Sequence, residues 1–83
     1  MRNVVISANQ SVWDDFQIVK LVNKAGSYNC NINIVSGKKY INVKNIKNMM
    51  EFFGNFRFDK EVKIALDGDQ EEEIEGWLAD YFK

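Results

Sequence analysis

Apolar and polar positions along this chain repeat with two different periods, and the switches between them mark the elements. The first run, Asn3 to Ser7, carries Val4, Val5 and Ile6, and a β-branched run of this kind predicts a buried strand. Ala8 to Ser11 is a polar connection. The period then changes to that of a helix. Ile18, Val19, Leu21, Val22 and Ala25 form an inward stripe at a spacing near 3.6 residues. The helix starts near Asp14, whose short side chain suits an N-cap. Asp15 in the first turn favours the helix dipole. Gly26 is expected to close the helix as a left-handed C-cap.

The period of two returns at Asn31 to Val35, where Ile32 and Ile34 share one face. Ser36-Gly37-Lys38 makes a tight turn, and Lys39 to Val43 runs back with Ile41 and Val43 aligned. The pair is a hairpin. Asn45 then caps a short helix with Ile46, Met49, Met50 and Phe53 on one side, ended by Gly54. Asn55 to Lys60 reads as a loop carrying Phe56 and Phe58. Val62, Ile64 and Leu66 alternate with Glu61, Lys63 and Ala65 in a fourth strand, and Asp67-Gly68 turns the chain. Asp69 to Glu72 matches a D-x-x-E capping pattern. The last helix has the clearest periodicity, with Ile74, Trp77, Leu78, Tyr81 and Phe82 in register. The order β-α-β-β-α-β-α implies an α+β fold. It is an open-faced sandwich, with a four-stranded antiparallel or mixed sheet and three helices on one face.

Composition narrows the class. The chain has 83 residues, enough for one domain, 1–83, with a modest core. No apolar run approaches the roughly 20 residues of a membrane span, so no membrane insertion is expected. The start MRNVVISANQ is too short and polar for a signal peptide. A lone cysteine, Cys30, cannot form an internal disulfide, which fits a cytoplasmic protein. With a net charge of −1, nothing asks for a nucleic-acid partner. The charge is nevertheless segregated. Lys38, Lys39, Lys44 and Lys47 lie in the middle, and Asp67, Asp69, Glu71, Glu72, Glu73 and Glu75 lie in the C-terminal third. These are either solvated faces or a basic patch that helps to dock an acidic partner.

Candidate chemistry is sparse. The chain holds no histidine, no second cysteine and no Gly-rich loop with a lysine, so neither an enzyme nor a cofactor or metal is expected. The strand-to-helix corner at Asp14 and Asp15 is where a protein of this size would handle an anion. The two aspartates admit three readings: an acidic N-cap and first turn, a permanent carboxylate standing where a phosphoryl group would sit, or a phosphorylatable aspartate. The last needs a Mg²⁺-binding acid cluster and a lysine, and no such pattern is present.

Residues 31 to 50, N-I-N-I-V-S-G-K-K-Y-I-N-V-K-N-I-K-N-M-M, resemble HPr, the histidine-containing phosphocarrier of the bacterial sugar phosphotransferase system. Members show a similar hairpin followed by an N-x-K-S-I helix start. L-V-N-K-A, residues 21 to 25, is similar to the end of the family's first helix, and D-G-D-Q-E-E-E to the start of its last. The family's element order is the one read above, and its loop corresponding to Phe53 to Lys60 is shorter.

The functional residues do not carry over. The family's active loop reads roughly G-x-H-x-R-P. Aligned without gaps, its histidine falls on Asp14, its arginine on Phe16 and its proline on Gln17. The regulatory serine at the second helix start falls on Asn45, which keeps capping chemistry but has no hydroxyl. The resemblance therefore implies a member lacking both phosphorylation sites, with a regulatory or protein-binding role. It implies docking at a corner formed by Asp15, Phe16, Lys20, Ile46, Lys47 and Met50, with a phosphotransferase component or a carbon-source regulator as partner. Ile46 and Met50 could instead pack inward.

The alternative is an unrelated interaction module that self-associates through Phe52, Phe53, Phe56 and Phe58. Some of these must be core. Trp13 and Trp77 are expected to be packed, Cys30 to be inert, and the protein to be a monomer or weak dimer.

Overall fold

A computed structural model describes residues 1–8, 14–54 and 61–82. The elements are β1 (Arg2–Ser7), α1 (Asp15–Gly26), β2 (Cys30–Ser36), β3 (Lys39–Asn42), α2 (Ile46–Gly54), β4 (Glu61–Gly68) and α3 (Glu71–Tyr81). The strands form one sheet in the order β1-β4-β2-β3, and every pairing is antiparallel. The last strand in sequence is therefore interior, with Ile64 opposite Val4 on one side and Ile34 on the other. No helix among the described residues is long and apolar enough to cross a membrane.

One face of the sheet carries the core. Val4, Ile6, Ile32, Ile34, Val62, Ile64 and Leu66 pack against Ile18, Leu21 and Ala25 of α1, Met49 and Phe53 of α2, and Ile74 and Leu78 of α3. Phe82, just past α3, is also fully buried. Each large apolar side chain buried in this way contributes about 1.5–3 kcal/mol, so the periodicity of α3 is what holds it to the sheet. Tyr28, between α1 and β2, joins the core as well. Its ring stacks obliquely on Trp77 at 5.6 Å.

Several expectations are corrected. Val5 is not buried but 55% exposed on the open face, because β1 alternates and only Val4 and Ile6 point to the helices. Ala65 is buried although it faces away from the helices, since it lies in register between Asn3 and Asn33. Gly26 is the last residue of α1, and the cap is Ser27 in ordinary helical geometry (φ −79°). The left-handed position is unnecessary there because Ser27 turns back on the helix, its N–H and hydroxyl both donating to the Lys24 carbonyl.

Asp69 does not cap α3. The N-cap is Gln70, held at φ 62° with no side-chain cap bond. The Asp69 carboxylate accepts instead from the Asn29 amide at 3.0 Å, while Glu71 accepts from the Gly68 N–H at 2.9 Å. Gly68 is required where it stands. At φ 149°, a Cβ there would lie 2.7 Å from the Cys30 Cα. Asn55, Phe56 and Phe58, Trp13, and most of the polar connection after Ala8 lie outside the described residues.

Candidate functional site

The corner at the start of α1 is built by a reciprocal pair of bonds. Asp14 is extended (φ −89°, ψ 169°), and its Oδ1 accepts from the Gln17 N–H at 2.8 Å. The Gln17 side chain returns the contact, its Oε1 accepting from the Asp14 N–H at 3.1 Å. This is a capping box. The sequence signal for it, an aspartate three residues before a glutamine, was readable. The expectation of an Asp14 cap included half of it and missed Gln17.

Tyr81, near the end of α3, donates its hydroxyl to the Gln17 carbonyl. Burial pushes the Tyr81 phenol pKa up, and the nearby Asp14 charge adds to the shift. The far end of the chain thus fixes the first turn of α1. No local pattern could have announced that, because the partners lie 64 residues apart.

Beyond the box, Asp15 and Phe16 face solvent, with Phe16 70% exposed. Lys20 lies one turn on, its Nζ 5.4 Å from the Phe16 ring centre, a cation–π pair at helical i,i+4 spacing. α1 packs along α2. There Asn45 caps as expected, its Oδ1 accepting from the Asn48 N–H at 3.0 Å. Ile46 is 41% exposed and Lys47 is exposed, whereas Met50 is half-buried against the core. Asp15, Phe16, Lys20, Ile46 and Lys47 are therefore surface residues on two neighbouring helices. Met50 divides its contacts between that surface and the interior.

The remaining candidates lie elsewhere. Lys44 is drawn in, donating to the Tyr28 carbonyl at 2.8 Å, so the middle lysines do not act as one free patch. Phe53 is buried, with Phe52 edge-on to it at 5.1 Å. Cys30 is buried, and burial raises its thiol pKa, which disfavours the reactive thiolate. Among the described residues no group of acids, cysteines or histidines is arranged to hold a metal.

A family model described as "PTS HPr component phosphorylation site" matches residues 17–83. The match starts at Gln17, so Asp14 and Phe16 precede it. No curated protein matches the sequence. Among solved structures, HPr-C-His from Thermoanaerobacter tengcongensis superposes with a TM-score of 0.79 at 25% identity, over 99% of this chain and 91% of that one. The phosphocarrier protein HPr from Bacillus anthracis gives 0.83 at 19% identity, over 99% and 96%. The histidine-containing phosphocarrier protein of a Mycoplasma gives 0.77 at 20%, over 96% and 90%. The last two likenesses speak for the fold alone. With the family matched over most of the chain, the alternative of an unrelated module falls away.

Proposed function

The chain belongs to the HPr family of the sugar phosphotransferase system, and from that premise we propose that it docks a protein partner at the α1–α2 corner without carrying a phosphoryl group. One observation carries the reading. Asp14 occupies the helix start to which the family's histidine aligns, its carboxylate engaged in the capping box, in a chain with no histidine. Phosphohistidine needs an imidazole nitrogen. A capping carboxylate presents a fixed single negative charge where a phosphate would carry about −1.5 to −2, so it imitates the charged state only in part. Asn45 supports the same reading at α2, since it keeps the cap and gives a kinase no hydroxyl.

Docking is supported by Phe16. A large aromatic exposed at a helix start, paired with Lys20 one turn on and with Ile46 and Lys47 exposed on the helix that packs along it, has the make-up of an interface anchor. The partner is a phosphotransferase component or a carbon-source regulator, met in the cytoplasm, and the role is regulatory. Two experiments test this. Incubation with phosphoenolpyruvate and the family's enzyme I should leave the intact mass unchanged, and a stable phosphorylated species would overturn the reading. Capture of such a partner from the source cell's extract should be lost in both Phe16→Ala and Ile46→Glu while their melting temperatures hold. Binding indifferent to both changes would place docking elsewhere.

A further inference from the structure

The two edges of the sheet are not alike. β1 and β3 each pair on one side only. β3 is four residues long and opens on Lys39 beside Lys38, and short length and lysines are the usual protection of an edge. β1 is six residues, R-N-V-V-I-S, with no proline and no lysine. Its single charge is spent sideways, Arg2 reaching Glu75 at 2.7 Å. Its ladder runs to β4, and no other backbone bond involves it among the described residues. In an antiparallel pair, alternate residues aim both N–H and C=O away from the partner. The outer side of β1 therefore offers donors and acceptors that nothing among the described residues meets. Beside that edge stands Val5, in a row across the open face with Lys63, Val35 and Tyr40.

We propose that β1 pairs antiparallel with β1 of a second copy across a twofold axis, Val5 opposite Val5. The two four-stranded sheets then become one. The side chains select the register. Opposed residues must lie on the same face, so the axis passes through a residue and not between two. Centring on Val4 sets Arg2 against Ile6 and Asn3 against Val5, polar against apolar each time. Centring on Val5 sets Val4 against Ile6 on the helix side, and Asn3 against Ser7 and Val5 against Val5 on the open side. From Asn3 to Ser7 like meets like, Arg2 falls opposite Ala8 just past the strand end, and no charge opposes a like charge. Pairing β1 with β3 of another copy would leave a free β1 at one end and grow without limit. The β1–β1 arrangement closes and leaves only the lysine-guarded β3 edges outside. An interface made by one strand pair is small, so the dimer is weak and concentration-dependent. It uses none of the residues assigned to partner docking, so either inference can fail without the other.

Cysteine crosslinking with sedimentation tests it. Opposed Cα atoms lie about 4.5–5.5 Å apart, inside the span of about 4.4–6.8 Å that a disulfide bridges. Under mild oxidation, Val5→Cys should yield covalent dimer several-fold faster than Tyr40→Cys, a 65%-exposed site at the other edge. Asn3→Cys and Ser7→Cys should crosslink to each other faster than either does to itself. The unmodified protein should gain mean mass with concentration. Val5→Lys, a change at an exposed position, should stay monomeric with its melting temperature unchanged. A constant monomer mass, a dimer indifferent to Val5→Lys, or equal crosslinking at Val5 and Tyr40 would overturn the proposal.

Discussion

α1 and α3 begin in opposite ways. At α1 the chain enters extended, and two side-chain bonds between Asp14 and Gln17 satisfy the first backbone donors. At α3 the chain enters through Gln70 in a left-handed conformation without a side-chain cap. The start of α3 is held by surrounding contacts instead: Glu71 on the Gly68 N–H, Gln70 on Glu73, and the Asp69 N–H on the Asn29 carbonyl. The first helix carries its own stop signal, so its corner can leave Phe16 exposed and still keep its shape. The third helix starts where the tertiary structure puts it, at some backbone cost.

The largest test of that contrast is Gly68→Ala. The added Cβ would meet the Cys30 Cα and the Asn29 carbonyl oxygen, and a loss of about 3 kcal/mol in a denaturant melt is expected. A loss under 1 kcal/mol would mean that the α3 entry is pliant. Asp14→Ala should cost about 1 kcal/mol as a lost N-cap, and Asp69→Ala well under half of that. Equal costs would erase the distinction between the two starts.

Tyr81→Phe removes the bond from α3 to the Gln17 carbonyl and should cost about 1 kcal/mol. It also carries a pH signature. The folded phenol pKa lies above its ordinary value of 10.0, so its contribution is complete below that pH and fades as pH rises through the folded value. An alkaline melt series should show a shallower loss in Tyr81→Phe than in the unaltered protein. The smallest effect is a gain. Gln70→Gly should stabilise by about 0.5 kcal/mol, since glycine takes positive φ without steric penalty.

Much of this was legible in residue order. Periods of two and 3.6 located six of the seven elements, because each buries one face, and a β-branched run located β1. Asp14 and Asn45 could be read as caps because capping is local chemistry. What escaped was non-local. Asp69 fits a capping pattern as well as Asp14 does, but Asn29 lies forty residues away and takes its carboxylate. Val5 sits in a β-branched triplet, and only the register against Lys63 shows it on the open face. At the candidate site, Phe16 could be named from alignment to the family's loop, whereas the Tyr81 bond that steadies the turn behind it could not.

The strand order has a temporal side. Hairpin β2–β3 joins neighbours in sequence and can form as soon as both are made. β1, the first strand to emerge, must wait for β4, where Val4 finds Ile64. Any nascent chain that ends before Glu61 has two of its three strand pairings still missing. Pairings of such sequence separation are the kind that slows folding. β4 takes part in both of the late pairings, and until it is made Val4 and Ile6 lack the Ile64 and Val62 they face across the ladder.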